Sequence, residues 1–208
     1  MPNTNAMMDA TSPEIRSRWI AFMVLFWLAA GCSLFETRTA EPPGGDTAGI
    51  FLQPDRPEIV LDNLINAVKN LNTQNYLRNL DQGAFEFNPS LPALQSNPEL
   101  WSDWGLDQEQ LYFNNLRAAA ENTTGHDLRL SEISIEVISV NQQQVVADYA
   151  LTLIHNRANV GVPTNINGRF VLLLESGEDG LWRIVSWTDV GSGQSFSWSD
   201  LKSSFLVD

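Results

Sequence analysis

Four stretches in the second half of the chain, Leu128–Val140, Gln144–His155, Gly168–Glu175 and Leu181–Asp189, are rich in β-branched and aromatic residues and carry period-two alternation. Such runs read as half-buried strands, and their succession limits the fold more than any other feature. Asn141-Gln142 and Gly177-Glu178-Asp179-Gly180 are short enough to be hairpin connections. Residues 156–167 form a longer hairpin loop with Gly161 and Pro163. The four strands therefore read as antiparallel neighbours.

Upstream of them the periodicity is helical. Leu61, Leu64, Ile65, Val68 and Leu71 fall on one face, behind Asp55 as cap, Pro57 in the first turn and Glu58 completing a capping box. A second helix is expected from Thr73, turning Tyr76, Leu77 and Leu80 inward and stopping at Asp81-Gln82-Gly83. Phe85 and Phe87 alternate as a short strand. Pro89, Pro92 and Pro98 mark an irregular excursion, within which Asn97-Pro98-Glu99 starts a helical turn carrying Trp101 and Trp104. Asp107 with Gln110 is a second capping signature, leading a helix to the region of Ala120. Helices first and strands later predict an α+β domain over residues 55–208, its N-terminal helices packed on one face of a curved antiparallel sheet.

The start of the chain follows other rules. An apolar run from Trp19 to Ala30 lies behind Arg16 and Arg18 and ends at Ala29-Ala30-Gly31-Cys32, whose thiol is the only one in the chain. It falls short of the roughly 20 apolar residues that span a bilayer. The layout resembles the bacterial lipoprotein signal, with Cys32 closing the lipobox. That resemblance implies removal of residues 1–31, lipid attachment at Cys32, and a membrane anchor. Ser33 in place of aspartate points to the outer membrane of a two-membrane envelope, facing the periplasm. Residues 32–54 read as the lipidated cysteine and a flexible tether, broken by Pro42-Pro43-Gly44-Gly45, although Ile50-Phe51-Leu52 would also suit packing along the domain as an edge.

Charge narrows the partners. Twenty-five acidic residues against twelve basic ones give a net charge of −13, which repels phosphate backbones and speaks against nucleic acid. It repels anionic lipid too, so membrane attachment falls to Cys32.

The element order, with Gly180-Leu181-Trp182-Arg183-Ile184 in the last strand, resembles the NTF2-like (cystatin-cone, SnoaL-like) superfamily over residues 55–190. The tail Ser197-Trp198-Ser199-Asp200-Leu201-Lys202 is similar to that of small bacterial lipoproteins carrying this domain. The resemblance implies a cone with a pocket between helices and sheet. Some families use that pocket as an active site, as ketosteroid isomerases, polyketide cyclases and scytalone dehydratases do. Others use the fold for binding or assembly. Fold alone does not choose between them.

Metal chemistry has little to work with, because His126 and His155 are the only histidines and neither has a second ligand at metal spacing. No nucleophile turn and no glycine-rich phosphate loop is present, and no cofactor is expected. The best enzymatic option is acid–base work of the isomerase or dehydratase type. By alternation Tyr149, Leu151, Leu153 and His155 share one strand face, and Arg183, Val185, Trp187 and Asp189 another. If both faces line the cone, His155 is oriented by Asp189, with Tyr149 or Tyr76 offering a phenolic proton. The plainer reading leaves His155 solvated at a strand end and gives Asp189 the work of capping or anchoring the C-terminal tail. Tyr76, Phe85, Trp101, Trp104 and Trp187 are candidates for lining a pocket, against the alternative that they fill the core. The expectation is an envelope lipoprotein without catalysis, binding a small apolar ligand or an envelope protein. The alternatives are the His155–Asp189 enzyme, and a structural module that dimerises or docks through its open sheet face.

Overall fold

The computed structural model describes residues 49–120, 124–191 and 195–206, and the apolar run, Cys32 and most of the expected tether lie outside those residues. The first helix, α1 (Pro57–Lys69), starts where Pro57 dictates. A proline at the first helical position needs no N–H partner and forces the preceding residue to be extended. Arg56, with φ −153° and ψ 157°, is therefore the N-cap in place of Asp55, and no side chain caps this end. The second helix, α2 (Thr73–Arg78), is capped by Asn72, whose side chain accepts from Asn75 N at 3.0 Å.

A short strand, β1 (Glu86–Asn88), follows. The proline-rich excursion is more regular than its composition suggests. Pro92 and Pro98 each sit in a first turn, opening α3 (Leu91–Ser96) and α4 (Pro98–Trp101). The long helix α5 (Leu106–Ala119) starts ahead of Asp107, because the Gly105 N–H donates to Gln108 Oε1 at 3.0 Å. Then come β2 (Asp127–Ser139), β3 (Gln142–Thr152), a 3₁₀ turn (Asn156–Val160), β4 (Asn165–Ser176), β5 (Trp182–Val190) and a last helix, α6 (Trp198–Ser204).

The sheet runs β1-β5-β4-β3-β2. Strands β2 to β5 are antiparallel neighbours, as the alternation predicts. β1 corrects the all-antiparallel expectation: it pairs with β5 in parallel, Phe87 opposite Trp187. Parallel partners need a long crossover, and everything between residues 88 and 182 provides one. Register shifts near Ser131–Ser134 and Leu173–Leu174 bend the ladder into a curve.

The end of the predicted tether belongs to the domain. Leu52 N donates to Asn63 Oδ1 at 2.8 Å, Asn63 Nδ2 returns a bond to Leu52 O at 2.7 Å, and Trp182 N reaches Pro54 O at 2.7 Å. Among the described residues no helix is long and apolar enough to cross a membrane.

The core lies in the hollow of the sheet. Val145, Tyr149 and Leu151 of β3, Phe170 and Leu172 of β4, and Ile184 and Trp187 of β5 are buried there. Against them pack Val60 and Leu64 of α1, Tyr112, Phe113 and Leu116 of α5, and Trp198 and Leu201 of α6 with Phe205 just beyond it.

Candidate functional site

The space where a cone-shaped domain would take a ligand is occupied by the chain itself. Helix α6 enters it with Trp198, Leu201, Lys202 and Phe205, all fully buried. The helix starts with Ser197, whose N–H and hydroxyl donate to Asp200 Oδ2 at 2.8 and 2.9 Å. Its far end is held by Asn115 Nδ2, which donates to Phe205 O at 2.8 Å, and by Arg157 Nη1, which donates to Ser204 O. This helix is not among the elements expected from the sequence. The signals are the Ser197-x-x-Asp200 capping box and the apolar spacing of Trp198, Leu201 and Phe205.

Lys202 sits at the centre. Its Nζ donates to Glu109 Oε1, and both side chains are wholly inaccessible to solvent. Glu109 accepts two more bonds, from Trp104 Nε1 at 2.8 Å and from the Tyr76 hydroxyl at 2.7 Å. The ammonium faces aromatic rings on its other sides. Nζ lies 3.6 Å from the centroid of Phe87 and 4.8 Å from that of Trp187, with Trp104 at 5.6 Å and Tyr112 at 5.7 Å. A desolvated cation over a ring gains about 2 kcal/mol, which offsets part of the cost of removing this charge from water. Burial draws the Lys202 pKa below its ordinary value while Glu109 pulls it upward. Burial, and next the Glu109 carboxylate, push the Tyr76 and Tyr112 phenols well above their ordinary range, so both stay protonated.

A second cluster fastens the start of α6 to the sheet. Asp189 Oδ1 accepts from the Tyr149 hydroxyl at 2.9 Å, and Oδ2 accepts from Ser199 N at 2.8 Å and Ser199 Oγ at 2.5 Å. The Tyr149 oxygen in turn accepts from Trp198 N at 2.7 Å. Burial, reinforced by Asp189, raises the Tyr149 phenol far above its usual value. It is a fixed donor here and not a titrating one.

His155 takes no part in that cluster. Its ring lies edge-on to Phe205, with centroids 5.2 Å apart, beyond the C-terminal end of α6. Asp189 binds Ser199 at the other end. Ser199 and Phe205 are six positions apart along α6 and its C-cap, about 9 Å of helical rise. The geometry thus does not bring His155 and Asp189 together, and Asp189 anchors the tail as the plainer reading has it. His155 is buried and not solvated, because Phe205 covers it. His126 lies near the same strand end, its Nδ1 accepting from Ile154 N at 3.3 Å. Among the described residues no three His, Cys, Asp or Glu side chains converge as metal ligands.

The candidate pocket residues form core. Trp101 and Trp104 pack with their rings tilted by 32° and centroids 4.6 Å apart, each 5.7 Å from Phe87, and Trp187 reaches Phe87 and Trp198 at 6.3 and 4.8 Å. Tyr76 stacks on Phe113 at 4.2 Å, and Phe85 is buried beside them. A groove of about 640 Å³ lies outside the cone, lined in part by Phe51, Leu77, Arg78, Leu181 and Arg183. Glu109, Tyr112, Ser199 and Lys202 carry the interior chemistry, and none stands out from local pattern. Helical spacing alone connects Glu109 with Tyr112.

No family model matches the chain, and no curated protein does. Solved structures do. A protein from Novosphingobium aromaticivorans, provisionally named an aromatic ring hydroxylase, superposes with a TM-score of 0.53 at 15% identity, over 70% of this chain and 92% of its own. A Kribbella flavida protein gives 0.50 at 9% identity, over 69% and 92%. An NTF2-like protein of unknown function in nutrient uptake from Rhodospirillum rubrum gives 0.49 at 10% identity, over 65% and 97%. At such identities the likeness concerns the fold, and the fold of this chain is NTF2-like, with helices packed on a curved mixed sheet of five strands.

Proposed function

We propose that the protein is an envelope lipoprotein, anchored through Cys32, whose NTF2-like domain docks another envelope protein and does no catalysis. The observation that carries this reading is the buried Glu109–Lys202 pair, which commits the cone to the chain's own C-terminal helix. A small apolar ligand would compete with Trp198, Leu201 and Phe205 for that volume. Docking then falls to the outside.

The favoured surface is the edge strand β2, paired on one side only among the described residues. Its outer half exposes Ile133, Val137 and Ile138, and Val140 in the following turn is 92% exposed. An exposed apolar edge is a template for strand addition. Glu132 and Glu136 lie in the same stretch, and with a net charge of −13 they favour a partner strand with basic residues over a second copy of this chain.

The test places a photo-crosslinking residue at Val137 of the full chain in its native host, with exposed Gln95 as control site. The reading expects one adduct to a different envelope protein from Val137, none from Gln95, loss of the adduct in Glu136→Lys, and release of Cys32→Ser from the membrane fraction. An adduct of twice the chain's own mass supports dimerisation instead. No adduct at Val137 overturns docking at this edge.

A further inference from the structure

The surroundings of Lys202 have the composition of a receptor for an ammonium group. One carboxylate supplies the opposite charge, and donors from Tyr76 and Trp104 to its two oxygens fix its orientation. Phe87 presents a ring 3.6 Å from Nζ, with Trp187 at 4.8 Å on another side. Filling that volume requires no charge. Apolar side chains of similar volume in place of both ions would occupy it without desolvating any charge, and such paired replacements are often neutral or stabilising. A carboxylate held by its own donors and walled by aromatic rings matches a cation chemically as well as sterically.

We propose that the cone contains a primary-ammonium site, loaded by Lys202 from the chain's own C-terminal helix, and that a small primary alkylammonium takes that place when the side chain at 202 is cut back. The direct bond from Nζ to Glu109 Oε1 selects an ammonium that still carries N–H donors. A neutral molecule of the same shape leaves Glu109 without its counter-charge and is rejected. This goes beyond the docking reading and does not rest on it.

The chemistry of residue 202 supplies the test. Lys202→Ala removes three methylenes and the ammonium, which n-propylammonium replaces atom for atom. The thermal midpoint of the full chain carrying Lys202→Ala is followed against n-propylammonium chloride, with equal sodium chloride and 1-propanol as controls. The site predicts a rise that saturates with the amine alone. At ten times the dissociation constant the folded-to-unfolded ratio increases about tenfold. If Lys202→Ala is unfolded in buffer, the same titration reads amine-dependent recovery of near-ultraviolet circular dichroism. Lys202→Met, which fills the space without a charge, shows no response to the amine, and adding Glu109→Gln to Lys202→Ala abolishes it. Absence of a saturable response in both readouts, an equal response to 1-propanol, or a response that survives Glu109→Gln overturns the proposal.

Discussion

Tyr149 crosses the sheet over Gly168: a Cβ built at 168 would lie 2.4 Å from Tyr149 Oη. The two residues are register partners on β3 and β4, and the missing side chain lets the phenol reach Asp189 and the start of α6. Gly168→Ala therefore displaces Tyr149 and loosens the helix behind it. Overpacking of this kind costs about 1–3 kcal/mol, more than the few tenths to one that alanine gains by restricting the unfolded chain. Urea unfolding gives the loss. A variant as stable as the parent would show that Tyr149 has another route to Asp189.

Asp189 acts in this account as a clamp, since it accepts the Ser199 N–H, the Ser199 hydroxyl and the Tyr149 hydroxyl. Asp189→Asn keeps the shape but turns one acceptor oxygen into a donor that faces donors. Hydrogen bonds to a charged group contribute about 1.5–3 kcal/mol, and the variant loses that order of stability. The opening is local, so trypsin cleaves after Lys202 faster in the variant, while urea unfolding remains a single transition. If His155→Ala and Asp189→Asn each weaken hold on α6, their effects add, because the two residues meet opposite ends of the helix.

At the β4–β5 turn, Arg183 Nη2 donates to Asp179 Oδ2 at 2.5 Å and the Leu181 N–H reaches Asp179 Oδ1 at 3.0 Å. The guanidinium bond first, and the backbone bond second, hold the Asp179 pKa down at about 2. A carboxylate depressed in the folded state contributes stability above its unfolded pKa of about 3.9, and that contribution is lost as the pH falls through the folded value of about 2. Arg183→Met moves the Asp179 titration, followed by carbon NMR at its carboxyl, upward towards the ordinary range. It stays somewhat low, because the Leu181 bond remains. An unchanged titration would mean that the ion pair does not form in solution.

Much of the architecture was legible because it is local. Alternation marked all four long strands, and apolar spacing marked α1 and α2. The parallel pairing of β1 was not legible, since Phe87 and Trp187 meet across a hundred residues that carry no trace of the contact. The interior of the cone was hidden for a different reason. Lysine and glutamate are almost never fully buried unless paired, so nothing in the sequence marks Glu109 and Lys202 as interior residues before the fold brings them together. Asp189 showed the right strand face but not its partner, because Ser199 lies past the end of the sheet. The capping box at Ser197 and the apolar spacing of Trp198, Leu201 and Phe205 were the local signs that the tail is a helix.

The central claim is that α6 fills the cone and that Glu109 and Lys202 hold it there. A double-mutant cycle in urea with Glu109→Gln, Lys202→Met and the double variant tests it most directly. Breaking a buried pair from one side costs about 3–5 kcal/mol, and removing both charges restores part of that loss. The account predicts single variants destabilised on that scale, with a coupling energy of about 2 kcal/mol or more. Single effects below about 1 kcal/mol that add within about 0.5 kcal/mol would contradict it, because Lys202 would then be in water and the cone open.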